Sequence, residues 1–220
     1  MDVLSQIDAV ARALRTEEID GEPSRIQTIV QDYPADIDAV WDATTNPERI
    51  ARWLRPVSGD LRLGGRYQLS GNAGGEILTC TPPTGGTASY RVTWEYGGGT
   101  SWVTVRLEAQ DPGRTRFELE HIVKVADIPS GMWETFGPGA TGVGWDQSLL
   151  GLALHLGVQD ASITPDEAEA WAVSDEGKAF TRAAADRWAA VHIADGADAE
   201  TAARSADATY GFYTGETPAS

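Results

Sequence analysis

Few side chains in this chain of 220 residues combine a type and a spacing that could carry chemistry. The three histidines, His121, His155 and His192, stand far apart, and none belongs to an H-E-x-x-H or Cys/His cluster, so no metal-ligand set is expected. His121 is the most informative of them. It follows Phe117 and Leu119 at a spacing of two, which places all three on one side of a strand. An imidazole there could act as a general base or donate to a ligand. It could equally be a satisfied histidine bonded to backbone or to a helix, the ordinary state of buried polar groups. Glu118 and Glu120 have the opposite parity and read as a solvated pair. Ser148 has no local base and no G-x-S-x-G elbow around it, so acyl-enzyme chemistry has no support. Asp146 sits near a helix start, where the dipole favours it without any further role. Gly137-Pro138-Gly139-Ala140-Thr141-Gly142 spells G-x-G-x-x-G, but the preceding Ile128-Pro129-Ser130-Gly131 is no central strand and no βαβ unit follows. Those glycines are expected to turn a loop tightly into a helix. No catalytic residue, cofactor or metal follows from these residues.

The elements that must position such groups are constrained first by composition. Seventeen basic residues against 33 acidic ones argue against nucleic acid or an anionic membrane as partner. Cys80 is the single cysteine, which excludes a disulfide scaffold. No secretory pattern opens the chain, and the longest apolar stretch, Leu149 to Leu156, is interrupted and too short to span a bilayer. A cytoplasmic location is expected.

Leu4, Ile7, Val10, Ala11 and Leu14 recur at helical spacing, which predicts a short helix over 2–15 within an N-terminal helical extension, residues 1–23. Ser24–Tyr33 alternates as a strand. Two short helices follow, one from about Asp36 and one capped by Asn46 with Pro47 at its first position, ending near Trp53. Between Gly59 and Val123, glycine-rich turns separate strands at Gly65–Leu69, Gly75–Thr81, Ala88–Tyr96, Ser101–Gln110 and Thr115–Val123. Connections so short make antiparallel neighbours. Tyr90, Val92 and Trp94 share one face, as do Val103, Val105 and Leu107, and Phe117, Leu119 and His121. Each strand thus has one apolar side to be covered. Trp145, Leu149, Leu152 and Leu156 recur as a helical stripe, and this helix is placed across that face.

Residues 158–220 form an acidic helical extension with 12 acids and 4 bases. Ser174 is expected to cap a helix with Phe180, Ala184, Trp188 and Val191 as its stripe. Asp198 to Tyr210 is a further helix, and the last few residues read as disordered. The stripe needs an apolar cover, supplied either by this domain's flank or by a second copy in a homodimer.

The order of elements resembles the helix-grip superfamily (START/SRPBCC), and more closely its activator of heat-shock protein 90 ATPase homologue-like branch. The residues that carry this are Ala39-Val40-Trp41-Asp42-Ala43-Thr44-Thr45-Asn46-Pro47-Glu48-Arg49-Ile50-Ala51-Arg52-Trp53, Gly59 to Tyr67, Val92-Thr93-Trp94-Glu95, Thr115 to His121, and Gly144-Trp145-Asp146-Gln147-Ser148-Leu149. The resemblance covers residues 24–157. It implies an α+β helix-grip fold: a curved antiparallel sheet of six to seven strands wrapped around a long C-terminal helix, with two short helices after the first strand. It also implies a cavity between sheet and helix. Trp53, Tyr67, Trp94, Phe117, His121, Trp145, Leu149 and Leu152 are the candidates for its lining, and a small, largely hydrophobic molecule is the expected ligand. An enzyme resembling the cyclases and aromatases of the superfamily is the alternative, with His121 as its one proton-transferring group. A stress-related co-chaperone role is a third. The eukaryotic co-chaperones carry a sizeable domain ahead of this core, where about 23 residues stand here, so the resemblance implies the fold and not that activity.

Overall fold

The computed structural model describes residues 1–216; the terminal segment expected to be disordered lies partly outside them. Helix α1 (Val3–Asp8) is capped by Asp2, whose carboxylate accepts from the Ser5 amide. The chain then enters strand β1 (Ala11–Ile19), turns at Asp20-Gly21, both with positive φ, and returns as β2 (Glu22–Tyr33). The helix expected over 2–15 therefore stops at Asp8, and 1–23 is not a helical extension. Nine residues of backbone pairing with β2 override a local apolar period that Leu4, left exposed, does not need.

Asp36 precedes α2 (Ile37–Thr45), and Asn46 caps α3 (Pro47–Trp53) by accepting from the Glu48 amide. The remaining strands are β3 (Val57–Gly59), β4 (Arg66–Leu69), β5 (Gly74–Thr84), β6 (Thr87–Tyr96), β7 (Gly99–Asp111) and β8 (Arg114–Lys124). All eight form one open antiparallel sheet in the order β1-β2-β8-β7-β6-β5-β4-β3. The count exceeds the expected six or seven because β1 and the three-residue β3 join its two edges. The register puts Val103 opposite His121 and Val105 opposite Leu119, so the apolar parities of neighbouring strands coincide on the concave face. On the other face Glu120 is held between Arg15 and Arg106, and Arg106 also pairs with Glu118.

After the short helix α4 (Met132–Phe136), helix α5 (Gly139–His155) lies in the hollow of the sheet. It begins six residues before the Trp145 at which the expected stripe starts, so Gly139 and Gly142 lie within its first turns. Val143, Trp145, Leu149, Leu150, Leu152, Ala153 and Leu154 are all buried. A helix apolar on most of its circumference must be covered on more than one side. The sheet covers one side. Helices α7 (Asp175–Ala194) and α8 (Ala199–Thr214), preceded by α6 (Ala168–Ala172), cover the other. Ser174 caps α7 and Asp198 caps α8, each accepting from an amide three residues on. Phe180, Ala184 and Trp188 are fully buried, so the domain's own flank covers the stripe.

The glycines before and within α5 are explained by that cover. Gly137 turns the chain with φ +53°, whereas a Cβ at Gly142 would run into the Trp188 indole and one at Gly139 would meet Thr209. Two of these glycines therefore serve close helix packing in addition to the loop turn. At the centre of the contact Asp146 is 1% exposed and accepts from Arg12 Nε at 3.1 Å and Nη2 at 2.5 Å, and from Trp188 Nε1 at 2.8 Å. Arg12 also donates to the carbonyls of Ile7 and Val10. A single carboxylate thus joins β1, α5 and α7. Its burial pushes the Asp146 carboxyl up, and the bonds from Arg12 and Trp188 act against that push.

Candidate functional site

Between α5 and the concave face lies a hollow of about 160 Å³. Its walls come from three directions. Helix α5 contributes Trp145, Ser148, Leu149 and Leu152, successive positions of one helical face. Strands β6, β7 and β8 contribute Tyr90, Val92, Trp94, Val103, Val105, Phe117 and Leu119. The rim segment from α2 to β5 adds Thr44, Thr45, Ile50, Trp53, Leu54, Val57, Leu61, Tyr67, Leu69, Ile77 and Cys80. The half-exposed Ile50, Trp53, Leu54, Val57, Leu61 and Ile77, with the exposed Cys80, mark the open side.

Large rings account for the space. Trp94 and Trp145 meet at 5.0 Å between centroids with planes tilted by 59°, and the flat, rigid rings leave a gap that aliphatic chains would fill. Gly151 permits α3 to approach α5, because a Cβ there would stand 2.5 Å from the Trp53 carbonyl oxygen. The Trp53 indole is fixed in turn by its bond to the Ala43 carbonyl at 2.9 Å.

No charged side chain lies on the wall. Each helical hydroxyl there is turned to the backbone: Thr44 to Val40, Thr45 to Trp41 and Ser148 to Gly144. The Tyr67 hydroxyl donates to the Thr93 carbonyl at 2.7 Å. Burial raises the phenols of Tyr67 and Tyr90 well above the ordinary tyrosine range, so both are neutral.

Seven of the eight residues anticipated from the sequence, Trp53, Tyr67, Trp94, Phe117, Trp145, Leu149 and Leu152, stand on this wall. His121 does not. It lies on the concave side as its parity requires, but the Trp145 ring covers it at 5.4 Å between centroids. Trp145 Nε1 donates to His121 Nδ1 at 3.4 Å, which leaves the proton of the neutral ring on Nε2. That nitrogen is 2.9 Å from Ser101 Oγ, and Ser101 passes its own proton to the Trp94 carbonyl. Both imidazole nitrogens are occupied, and burial pushes the ring down to about 4. This is the arrangement of a structural histidine that fixes Trp145 and β7.

Apart from Trp53, sequence reasoning did not single out the rim from Thr44 to Leu61. Its residues lie on short helices and loops with no period to mark a face. Among the described residues no group of three or more His, Cys, Asp or Glu is placed to hold a metal ion. Nor is any helix long and apolar enough to cross a membrane.

The model of the family described as "Activator of Hsp90 ATPase homolog 1-like protein" matches residues 34–157. The crystal structure of CalU16 from Micromonospora echinospora is 32% identical, over 83% of this chain and 98% of that one, with a TM-score of 0.62. The solution NMR structure of the same protein gives 31% identity, 85% and 97% coverage, and a TM-score of 0.65. EF2215 from Enterococcus faecalis, a conserved protein of unknown function, shares the fold at 12% identity with a TM-score of 0.57, over 86% of this chain and 95% of that one. No curated protein matches the chain.

Proposed function

The chain belongs to the family of Activator of Hsp90 ATPase homolog 1-like proteins, and from that premise we propose that it binds a small, largely hydrophobic molecule in the hollow between α5 and the sheet, without turnover. One observation carries this reading. The wall of the hollow is apolar and aromatic, open on one side, and carries no charged side chain and no histidine. A dry cavity of roughly 150 Å³ lined by apolar side chains is known to take up a molecule the size of benzene. The hollow here is of that order and gains further room at its open rim.

No observation favours the cyclase-like alternative, since the one imidazole near the site is sealed behind Trp145 with both nitrogens bonded. The exposed Cys80 thiol at the rim suits a reducing compartment such as the cytoplasm.

Titration with naphthalene, followed by the methyl resonances of Val105, Leu149 and Leu152, tests the reading. Those resonances are expected to shift together and saturably, and bound naphthalene is expected to slow maleimide labelling of Cys80. A Val105→Phe variant places a ring in the hollow and is expected to abolish the shifts in the remaining methyl groups. No saturable shift with naphthalene or with larger apolar compounds would end the proposal.

A further inference from the structure

The hydroxyl groups on the wall have a direction, and it bears on which polar group a ligand can carry. A hydroxyl has one proton to give and two lone pairs that can accept. Thr45 Oγ1 gives its proton to the Trp41 carbonyl at 2.7 Å, Ser148 Oγ to the Gly144 carbonyl at 2.9 Å, and the Tyr67 hydroxyl to the Thr93 carbonyl at 2.7 Å. Thr44 Oγ1, deeper in, gives its proton to the Val40 carbonyl at 3.0 Å. Each oxygen borders the hollow with lone pairs left over and no proton to offer it. The indoles of Trp53 and Trp145 are likewise committed, to the Ala43 carbonyl and to His121. Three donors differ: the Cys80 thiol, which is weak, the Trp94 indole N–H, which has no protein partner among the described residues, and the Tyr90 hydroxyl, which has the Thr44 hydroxyl beside it. No lysine, arginine or histidine borders the space.

We infer that the ligand class is a neutral aromatic of one or two rings bearing a hydroxyl or amine proton, accepted by the oxygens of Thr45, Tyr67 or Ser148. The inference rests on the reading of the hollow as a ligand site and narrows it. A phenolic O–H or aromatic N–H finds an acceptor already oriented. At Thr45, Tyr67 and Ser148 an ether or ketone oxygen, which can only accept, meets oxygens whose protons are turned away. A carboxylate enters with no cation to compensate the loss of its water. The aromatic body is selected by the rings of Trp53, Trp94, Trp145 and Phe117, which offer faces and edges at stacking distance.

The test is a ladder of four probes on one ring system, measured by calorimetry on the full chain at neutral pH: naphthalene, 1-naphthol, 1-methoxynaphthalene and 1-naphthoate. 1-Naphthol is expected to bind about fivefold more tightly than 1-methoxynaphthalene, the gain of one neutral hydrogen bond. 1-Naphthoate is expected to bind at least about 100-fold more weakly than 1-naphthol, as an uncompensated buried charge should. In a variant carrying Thr45→Val, Tyr67→Phe and Ser148→Ala, the ratio of naphthol to methoxynaphthalene affinity is expected to fall to near one. If that variant does not fold, the wild-type ladder alone decides. An ether that binds as tightly as the naphthol, as it would if the Trp94 indole N–H or the Tyr90 hydroxyl were the anchor, overturns the inference. So does a naphthoate that binds comparably. Both results leave the hollow standing as an apolar site, whereas failure of naphthalene itself to bind removes the underlying reading.

Discussion

Replacing Arg12 by methionine isolates the contribution of the carboxylate that joins β1, α5 and α7. The substitution keeps most of the buried stem and removes the guanidinium, leaving Asp146 1% exposed with only the Trp188 N–H as partner. Breaking a buried pair on one side typically costs about 3–5 kcal/mol, because an uncompensated charge remains inside. With a urea slope of roughly 3 kcal/mol/M for a chain of this size, the unfolding midpoint is expected to fall by about 1–1.7 M. The double variant Arg12→Met with Asp146→Leu removes both charges and leaves one indole N–H without an acceptor, at about 1–2 kcal/mol. It should therefore be more stable than the single Arg12→Met variant. The pH dependence adds a second check. Without Arg12, burial of Asp146 is relieved by taking up a proton, so the deficit against wild type should be smaller at pH 5 than at pH 8. Urea titrations of the four proteins of the cycle at both pH values measure all of this. A single variant that loses less than 1 kcal/mol, or a double variant as costly as the sum of the singles, would show that the carboxylate does not tie the three elements together.

Gly142→Ala puts a methyl group into the Trp188 indole, and an overpacked core costs about 1–3 kcal/mol, so its thermal midpoint should fall, whereas Gly142→Ala combined with Trp188→Leu should recover part of the loss. His121, at about 4 in the folded chain against 6.5 unfolded, binds its proton more readily when unfolded. Its contribution is therefore fully present above pH 6.5 and is lost as pH falls toward 4, amounting to about 3 kcal/mol at one pKa unit per 1.36 kcal/mol. His121→Asn should flatten the stability profile in that window, and an unchanged slope would show that the imidazole is not sealed. Removing residues 158–220 should strip α5 of its cover and leave a chain that aggregates or melts early; a monodisperse, stable product would show that the acidic helices are dispensable to the domain.

The meander and the central helix were legible because strand parity and the Trp145 stripe are local patterns that tertiary packing reinforces. Six wall positions followed from those patterns, and Trp53 from the family resemblance. His121 had the right face and the wrong neighbour: only the rotamer of Trp145 decides whether the imidazole meets the hollow, and rotamers are not written in spacing. Strand β1 was illegible for a similar reason. Its residues satisfy a helical period as well as an extended one, and Asp146, lying 134 residues away from Arg12, helps settle the choice. The start of α5 was hidden by Gly139 and Gly142, which weaken a helix locally and are placed there by the packing of α7 and α8.

Because α5 is clamped on its far side by the acidic helices and pinned by Arg12 and Trp188, that boundary of the hollow has no slack to give. Helix α3, with no fully buried residue of its own, meets it at Gly151 and forms the rim beyond. Accommodation of guests of different girth must then fall on the α3 edge, which makes the short stretch from Ile50 to Val57 the gauge of size for whatever enters.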